Sequence, residues 1–235
     1  MASIYLIRHG QASFGAENYD ELSSLGRRQA TLTGEFLRRT GVRIDAVYAG
    51  TLQRQRDTAQ LAMAAYDDAP ELIVDPRLDE VRNDEHLEHL LPKVIAEQPD
   101  IQTIVDQGLD SSKRFQKVIE AVFNYWVSPE GNDPNIQSWE DYSQGVRTML
   151  DDIVQTQGRG RNTAVFTSGG TIATFTAMVL GLPGSATYQF YEPVFNCSIT
   201  QIFYSSTKTS LSYYNDCSFL RQLSVDTGEE LVTYR

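Results

Sequence analysis

Hydrophobic positions in this chain follow two rhythms. Short apolar runs at Ile4 to Ile7, Ile44 to Ala49, Leu72 to Val74 and Thr163 to Thr167 are bounded by charge, glycine or proline and read as buried strands. Between the first two, Ala30, Phe36 and Leu37 recur at helical spacing, with Arg38 and Arg39 in the last turn and Gly41 as the stop. After the second strand, Leu52, Ala59, Ala62 and Met63 give another helix to about Tyr66, with Thr51 as its expected cap. This alternation of strand and helix predicts a parallel sheet.

The middle third changes rhythm. Leu87, Leu90, Leu91, Val94 and Ile95 form one helical stripe, interrupted at Pro92 and Pro99. Phe115, Val118, Ile119, Val122 and Phe123 form a second. Ser138 opens a third, with Val146, Met149, Leu150, Ile153 and Val154 on its apolar face. The sheet then resumes, Ser168-Gly169-Gly170 turns into a helix to about Leu180, and Ser198 to Tyr204 with Leu211 to Tyr214 alternate as a hairpin at the sheet's edge. The expected architecture is α/β: a mixed, mostly parallel central sheet flanked by helices. It is a single domain over 1–235 with a helical insertion at about 83–158.

Composition narrows the partners. The formal charge of −11 argues against nucleic acid and anionic membranes, which are polyanions, but leaves room for a small anion in a locally basic pocket. No apolar run reaches the length of a membrane span, and the first strand begins where a signal peptide would lie. Cys197 and Cys217 are too widely separated for a disulfide framework, so reduced thiols and a cytoplasmic location are expected. Nothing in the sequence specifies an oligomeric state.

The chemistry lies at strand ends, where open α/β sheets bind ligands. The first strand closes on Arg8-His9, and Gly10 is expected to let the backbone turn sharply. Imidazole is a nucleophile and proton carrier near neutral pH, and guanidinium matches phosphate geometry, so the pair points to phosphoryl transfer onto His9. The competing reading is a strand-end histidine with one structural hydrogen bond. Arg54 in a first helical turn combines a guanidinium with free helix-start amides, an anion site, whereas Arg56 reads as solvated. Asp79-Glu80 brings carboxyls to a third strand end, as a general acid or as solvated loop charge.

These stretches resemble the histidine phosphatase superfamily, the phosphoglycerate-mutase-like proteins, over Ile4–Gly10, Leu22–Ala30, Tyr48–Ala59, Leu78–Glu80, Ala164–Ile172 and Asn196–Thr200. The signature Leu-x-Arg-His-Gly is matched by Leu6 to Gly10, followed by Gln11. The resemblance implies a phosphorylated nucleophile at His9, a clamp of Arg8 and Arg54, a proton donor at Glu80, and a site-lining Asn196. It also places Gln11, Ser168 and Gly169 around the phosphate. The implied reaction is hydrolysis of a small phosphomonoester without cofactor or metal. Each arginine supplies about 4 kcal/mol per unit-charge pair at about 4 Å and an effective dielectric of about 20.

Two departures stand out. Ser168 stands where the family carries a second strand-end histidine, which implies slow turnover or a phospho-ligand binder that has kept its pocket. Phe14-Gly15 stand where many members have Trp-Asn. A serine hydrolase at Ser168 is disfavoured because no histidine follows it in the chain. His86 and His89 lie on one helix face and read as solvated, with two alternatives: a metal pair lacking further ligands, or His86 swinging into the place vacated at Ser168.

Overall fold

The computed structural model describes residues 2–13 and 20–234. Phe14, Gly15 and most of the polar loop expected before Asp20 lie outside the described residues.

Strand β1 (Ala2–Arg8) alternates its side chains between two cores. Ile4 and Leu6 join one buried cluster, and Tyr5 and Ile7 join the other. It lies inside a six-stranded sheet in which β3 (Leu72–Val74), β2 (Ala46–Ala49), β4 (Asn162–Thr167), β1, β5 (Ile199–Tyr204) and β6 (Thr209–Asp216) run side by side. The β1–β4, β4–β2 and β2–β3 pairs are parallel, and β5 and β6 are antiparallel to their neighbours. The architecture is thus the mixed, mostly parallel sheet with helices on both faces.

The hairpin is placed differently from expectation. Of its two strands only β6 lies at the sheet's edge, because β5 pairs with β1 and is buried along almost its whole length. The polar positions of β5 are buried and bonded inside the sheet, Gln201 Nε2 donating to the Tyr5 hydroxyl and Thr200 Oγ1 accepting from Asn215 N, both at 3.0 Å, so the alternation does not mark a solvent-facing side.

One face of the sheet carries α1 (Ser24–Arg39), α2 (Gln53–Met63) and α9 (Ser218–Thr227). Ser23 caps α1 by accepting from Gly26 N at 3.0 Å, and Gly41 ends the helix region with φ +78°. Helix α9 was not legible from the periodicity, yet Phe219 stacks on Phe36 at 4.4 Å and Leu220 is fully buried. The opposite face carries α3 (Asn83–Glu97), α4 (Pro99–Asp106), α5 (Ser112–Val127), α6 (Trp139–Gln157), α7 (Gly169–Val179) and α8 (Tyr188–Tyr191).

Pro92 does not interrupt α3. It lies on the exposed side of the helix, as does Glu88, the residue one turn earlier whose carbonyl it leaves without an amide donor. Pro99 does mark a break, as the first residue of α4. Gly10 has an unexpected reason too. Its φ is not positive, but a Cβ there would collide with the Gly26 carbonyl. Glycine is needed for the close approach of the β1–α1 loop to the start of α1 rather than for a turn.

Candidate active site

The carboxyl ends of β1 and β2, the segment after β3, and the helical layer of the second face enclose a cleft of about 640 Å³. Arg8, His9, Arg54 and Glu80 all line it, so the structure brings together four side chains from three separate sequence motifs.

His9 is held at its backbone and at both ring nitrogens. Its amide donates to Thr167 O at 2.9 Å, and its carbonyl accepts from Asn196 Nδ2 at 3.1 Å. Nδ1 lies 2.8 Å from Gly10 O, and a carbonyl only accepts, so the ring proton resides on Nδ1. Nε2 then presents its lone pair, which accepts from Arg54 Nε at 3.2 Å. Burial pulls the His9 imidazole well below its ordinary pKa, and the positive charges of Arg54 and Arg8 push the same way against the Gly10 hydrogen bond. The ring is therefore a neutral base with a directed lone pair.

Each guanidinium is braced from behind. Arg8 Nη1 donates to Val194 O and, at 2.9 Å, to Tyr234 O, while the Arg8 carbon lies 5.9 Å from the Tyr234 ring centre. Arg8 Nε is buried and has no hydrogen-bond partner among the described residues. Arg54 Nη1 pairs with Asp20 Oδ1 at 2.7 Å.

The start of α2 differs from expectation. Thr51 lies outside the helix and donates from its hydroxyl to Asp79 Oδ2 at 2.6 Å, which gives Asp79 a structural role. The Asp20 carboxylate instead accepts from Gln53 N at 2.7 Å and Arg54 N at 3.4 Å. The helix-start amides read as free are thus already capped, from a residue more than thirty positions away that gave no sequence signal.

Glu80 accepts from Val81 N and Gly170 N, both at 3.0 Å. Burial nevertheless raises its carboxyl pKa, opposed by Arg54, Arg8 and these two amides. A carboxyl shifted toward its protonated form can give a proton, and in the same cleft an imidazole shifted toward its neutral form can offer a lone pair.

A family model described as the histidine phosphatase superfamily (branch 1) matches residues 4–116 and 101–217. The chain belongs to the histidine phosphatase superfamily. It is 25% identical over 236 residues to the "Putative phosphoserine phosphatase 2" of Hydrogenobacter thermophilus, covering 95% of this chain and 100% of that protein. It is 26% identical over 180 residues to a 2,3-bisphosphoglycerate-dependent phosphoglycerate mutase of Gloeobacter violaceus, covering 73% of each. Among solved structures, a mutant phosphoserine phosphatase from Entamoeba histolytica in complex with phosphoserine shares the fold, with TM-score 0.65, 18% identity and coverage of 94% and 100%. A mycobacterial glucosyl-3-phosphoglycerate phosphatase does so with TM-score 0.60, 22% identity and coverage of 91% and 98%.

The remaining expected site residues of this histidine phosphatase chain sit behind the cleft wall. Asn196 does not line the cleft; it holds the His9 carbonyl and accepts from Thr233 Oγ1 at 3.0 Å. Gln11 also lies off the cleft, with Oε1 accepting from Ser23 Oγ at 2.8 Å. Ser168 is fully buried, makes no cap bond to α7, and accepts from Gln55 Nε2 at 2.8 Å. Gly169 packs under Tyr191, where a Cβ would come within 3.1 Å of the ring.

His86 is neither solvated nor in the site. Its ring packs on Trp126 at 4.2 Å, it is 2% exposed, and burial lowers its pKa to about 4. Among the described residues no three His, Cys, Asp or Glu side chains converge on a metal position, and no helix is long and apolar enough to cross a membrane.

Proposed function

We propose that this protein hydrolyses small phosphomonoesters through a phosphohistidine at His9. The observation that carries the reading is the ring geometry. A proton fixed on Nδ1 by Gly10 leaves the Nε2 lone pair facing Arg54 at the inner end of the cleft. On substrate binding, Arg54 Nε and Arg8 turn their donors onto the phosphoryl oxygens, and Nε2 attacks phosphorus. The P–O bond to the leaving group breaks, and the Glu80 carboxyl gives its proton to the departing oxygen. Water then attacks the phosphohistidine, Glu80 takes back a proton, and inorganic phosphate leaves. Positioning and charge stabilisation supply most of what this transfer needs. We further propose that residues 1–235 act as one domain, in which the helices between 83 and 158 are an insertion forming the substrate-facing wall.

Turnover is proposed to be slow, since Ser168 offers no positive charge in place of a second histidine and is bonded to Gln55 instead. That same bond favours one second reading, a protein that binds a phosphorylated ligand without turning it over. Rapid quench with a labelled phosphomonoester decides between them. An acid-labile, base-stable phosphoenzyme, absent in His9→Ala, is the expected result. Phosphate binding with no phosphoenzyme would replace the hydrolase with the binder.

A further inference from the structure

The cleft has two ends of different character. The inner end carries Arg8 and Arg54 with His9 and Glu80. The outer end, walled by the starts of α3 and α5 and by α8, carries three carboxylates, Asp84, Glu85 and Glu192, against one cation, Arg82. Arg82 is itself paired with Glu85 at 3.2 Å. Asp84 and Glu192 have no cationic partner among the described residues and stand exposed on the rim.

Helix physics explains only part of this charge. Asp84 and Glu85 lie in the first turn of α3, where carboxylates complement the dipole. Glu192 lies at the opposite end of its helix, the C-cap of α8, where a negative charge gains nothing from the dipole. It lines the cleft without a side-chain partner among the described residues.

Phe115 and Tyr188 add aromatic surface to this end, Tyr191 and Tyr234 continue it toward Arg8, and the polar tips of the three tyrosines are occupied. Tyr188 donates its hydroxyl proton to Gln116 O at 3.1 Å, and the Tyr191 hydroxyl accepts from Asn83 Nδ2 at 2.8 Å. The Tyr234 hydroxyl accepts from Gln116 Nε2 at 2.6 Å. What these tyrosines offer the cleft is therefore ring surface. Aromatic faces combined with unpaired carboxylates attract organic cations and repel carboxylates.

From this we infer that the leaving group accepted here carries an ammonium group and no carboxylate, an amino-alcohol phosphate rather than a phosphorylated hydroxy acid. The inference rests on the phosphomonoesterase reading for its inner end. It separates this chain from the phosphoserine and 3-phosphoglyceric acid complexes known for the Entamoeba histolytica enzyme that shares its fold, since both of those ligands bear a carboxylate.

The test compares O-phosphoethanolamine with phosphoserine, which differs by one carboxylate, and with 3-phosphoglycerate. Calorimetric affinities are measured beside kcat/KM, so the preference is read even if turnover is undetectable. The expected order is phosphoethanolamine, then phosphoserine, then 3-phosphoglycerate. In Glu192→Gln and in Asp84→Asn the ratio of the first to the last should fall about fivefold, the scale of one solvent-screened charge pair. An order led by phosphoserine or by 3-phosphoglycerate, or a ratio that neither variant moves, overturns the inference. Hydrolysis of p-nitrophenyl phosphate by the wild type reports on the phosphatase reading separately, so the two failures are distinguishable.

Discussion

Gln55 Nε2 donates to Ser168 Oγ at 2.8 Å in a pocket where both residues are fully buried. The second proton of that amide goes to Leu78 O at 3.1 Å, and Oε1 has no partner among the described residues. The glutamine therefore fills the space beside residue 168 that a larger side chain there would need.

Restoring a histidine at 168 is thus a two-residue problem. Ser168→His alone should overpack this site and cost about 1–3 kcal/mol of stability. Combining it with Gln55→Ala should recover much of that loss and raise p-nitrophenyl phosphate turnover by up to about 10²-fold, the usual size of one preorganised donor. Ser168→Ala should cost about 1–3 kcal/mol, because the Gln55 amide loses its acceptor. Chemical denaturation and steady-state rates on all the variants check this; a single Ser168→His as stable as wild type and as fast as the double variant would rule out Gln55 as the obstacle.

Asp20 should matter through Arg54. Arg54→Lys removes both the Nε donor to His9 and the fork that reaches Asp20, and is expected to lower kcat/KM about 10²–10³-fold. Asp20→Ala should lower it in the same direction by less, while the exposed Arg56→Lys leaves it near wild type. Vanadate affinity provides a second readout. Equal effects at positions 54 and 56 would misplace the clamp.

In the proposed reaction the Glu80 carboxyl needs its proton to serve a poor leaving group. Hydrolysis of an alkyl phosphate should therefore decline as pH rises through the raised pKa of Glu80, which lies above the ordinary 4.5. Glu80→Gln should slow the alkyl phosphate about 10²–10⁴-fold and p-nitrophenyl phosphate much less. The same shift has a stability sign. A carboxyl whose pKa is raised by folding favours the fold below 4.5 and loses that contribution as pH climbs through the folded value. Glu80→Gln should accordingly be more stable than wild type above that pH, as read by urea denaturation.

His86 is expected to titrate as a structural group. Its folded pKa of about 4 lies below the ordinary 6.5, so its contribution to stability is present above 6.5 and lost as pH falls toward 4. The loss is on the order of 3 kcal/mol at about 1.36 kcal/mol per unit. His86→Phe keeps the ring against Trp126 and should flatten this part of the pH–stability curve while leaving phosphoester turnover within about twofold. Abolished turnover in that variant would return His86 to the reaction.

The sequence by itself determined where the strands lie along the chain and which four side chains, Arg8, His9, Arg54 and Glu80, meet at the inner end of the cleft. Runs such as Ile4 to Ile7 are legible because a buried parallel strand must be apolar throughout; Arg8 and His9 are legible because they close such a run, Arg54 because it opens the helix after the second strand, and Glu80 because it follows the third. Tertiary structure decided what no local pattern encodes. Asp20 caps α2 and pairs Arg54 only because the chain folds back over more than thirty residues. Asn196 faces the back of His9 rather than the cleft because β5 runs antiparallel beside β1. His86 is buried because α5 lays Trp126 across the α3 face that its own helix leaves open. Side chains at loops and on the second layer of a site are fixed by long-range packing, and such contacts leave no periodicity in the sequence.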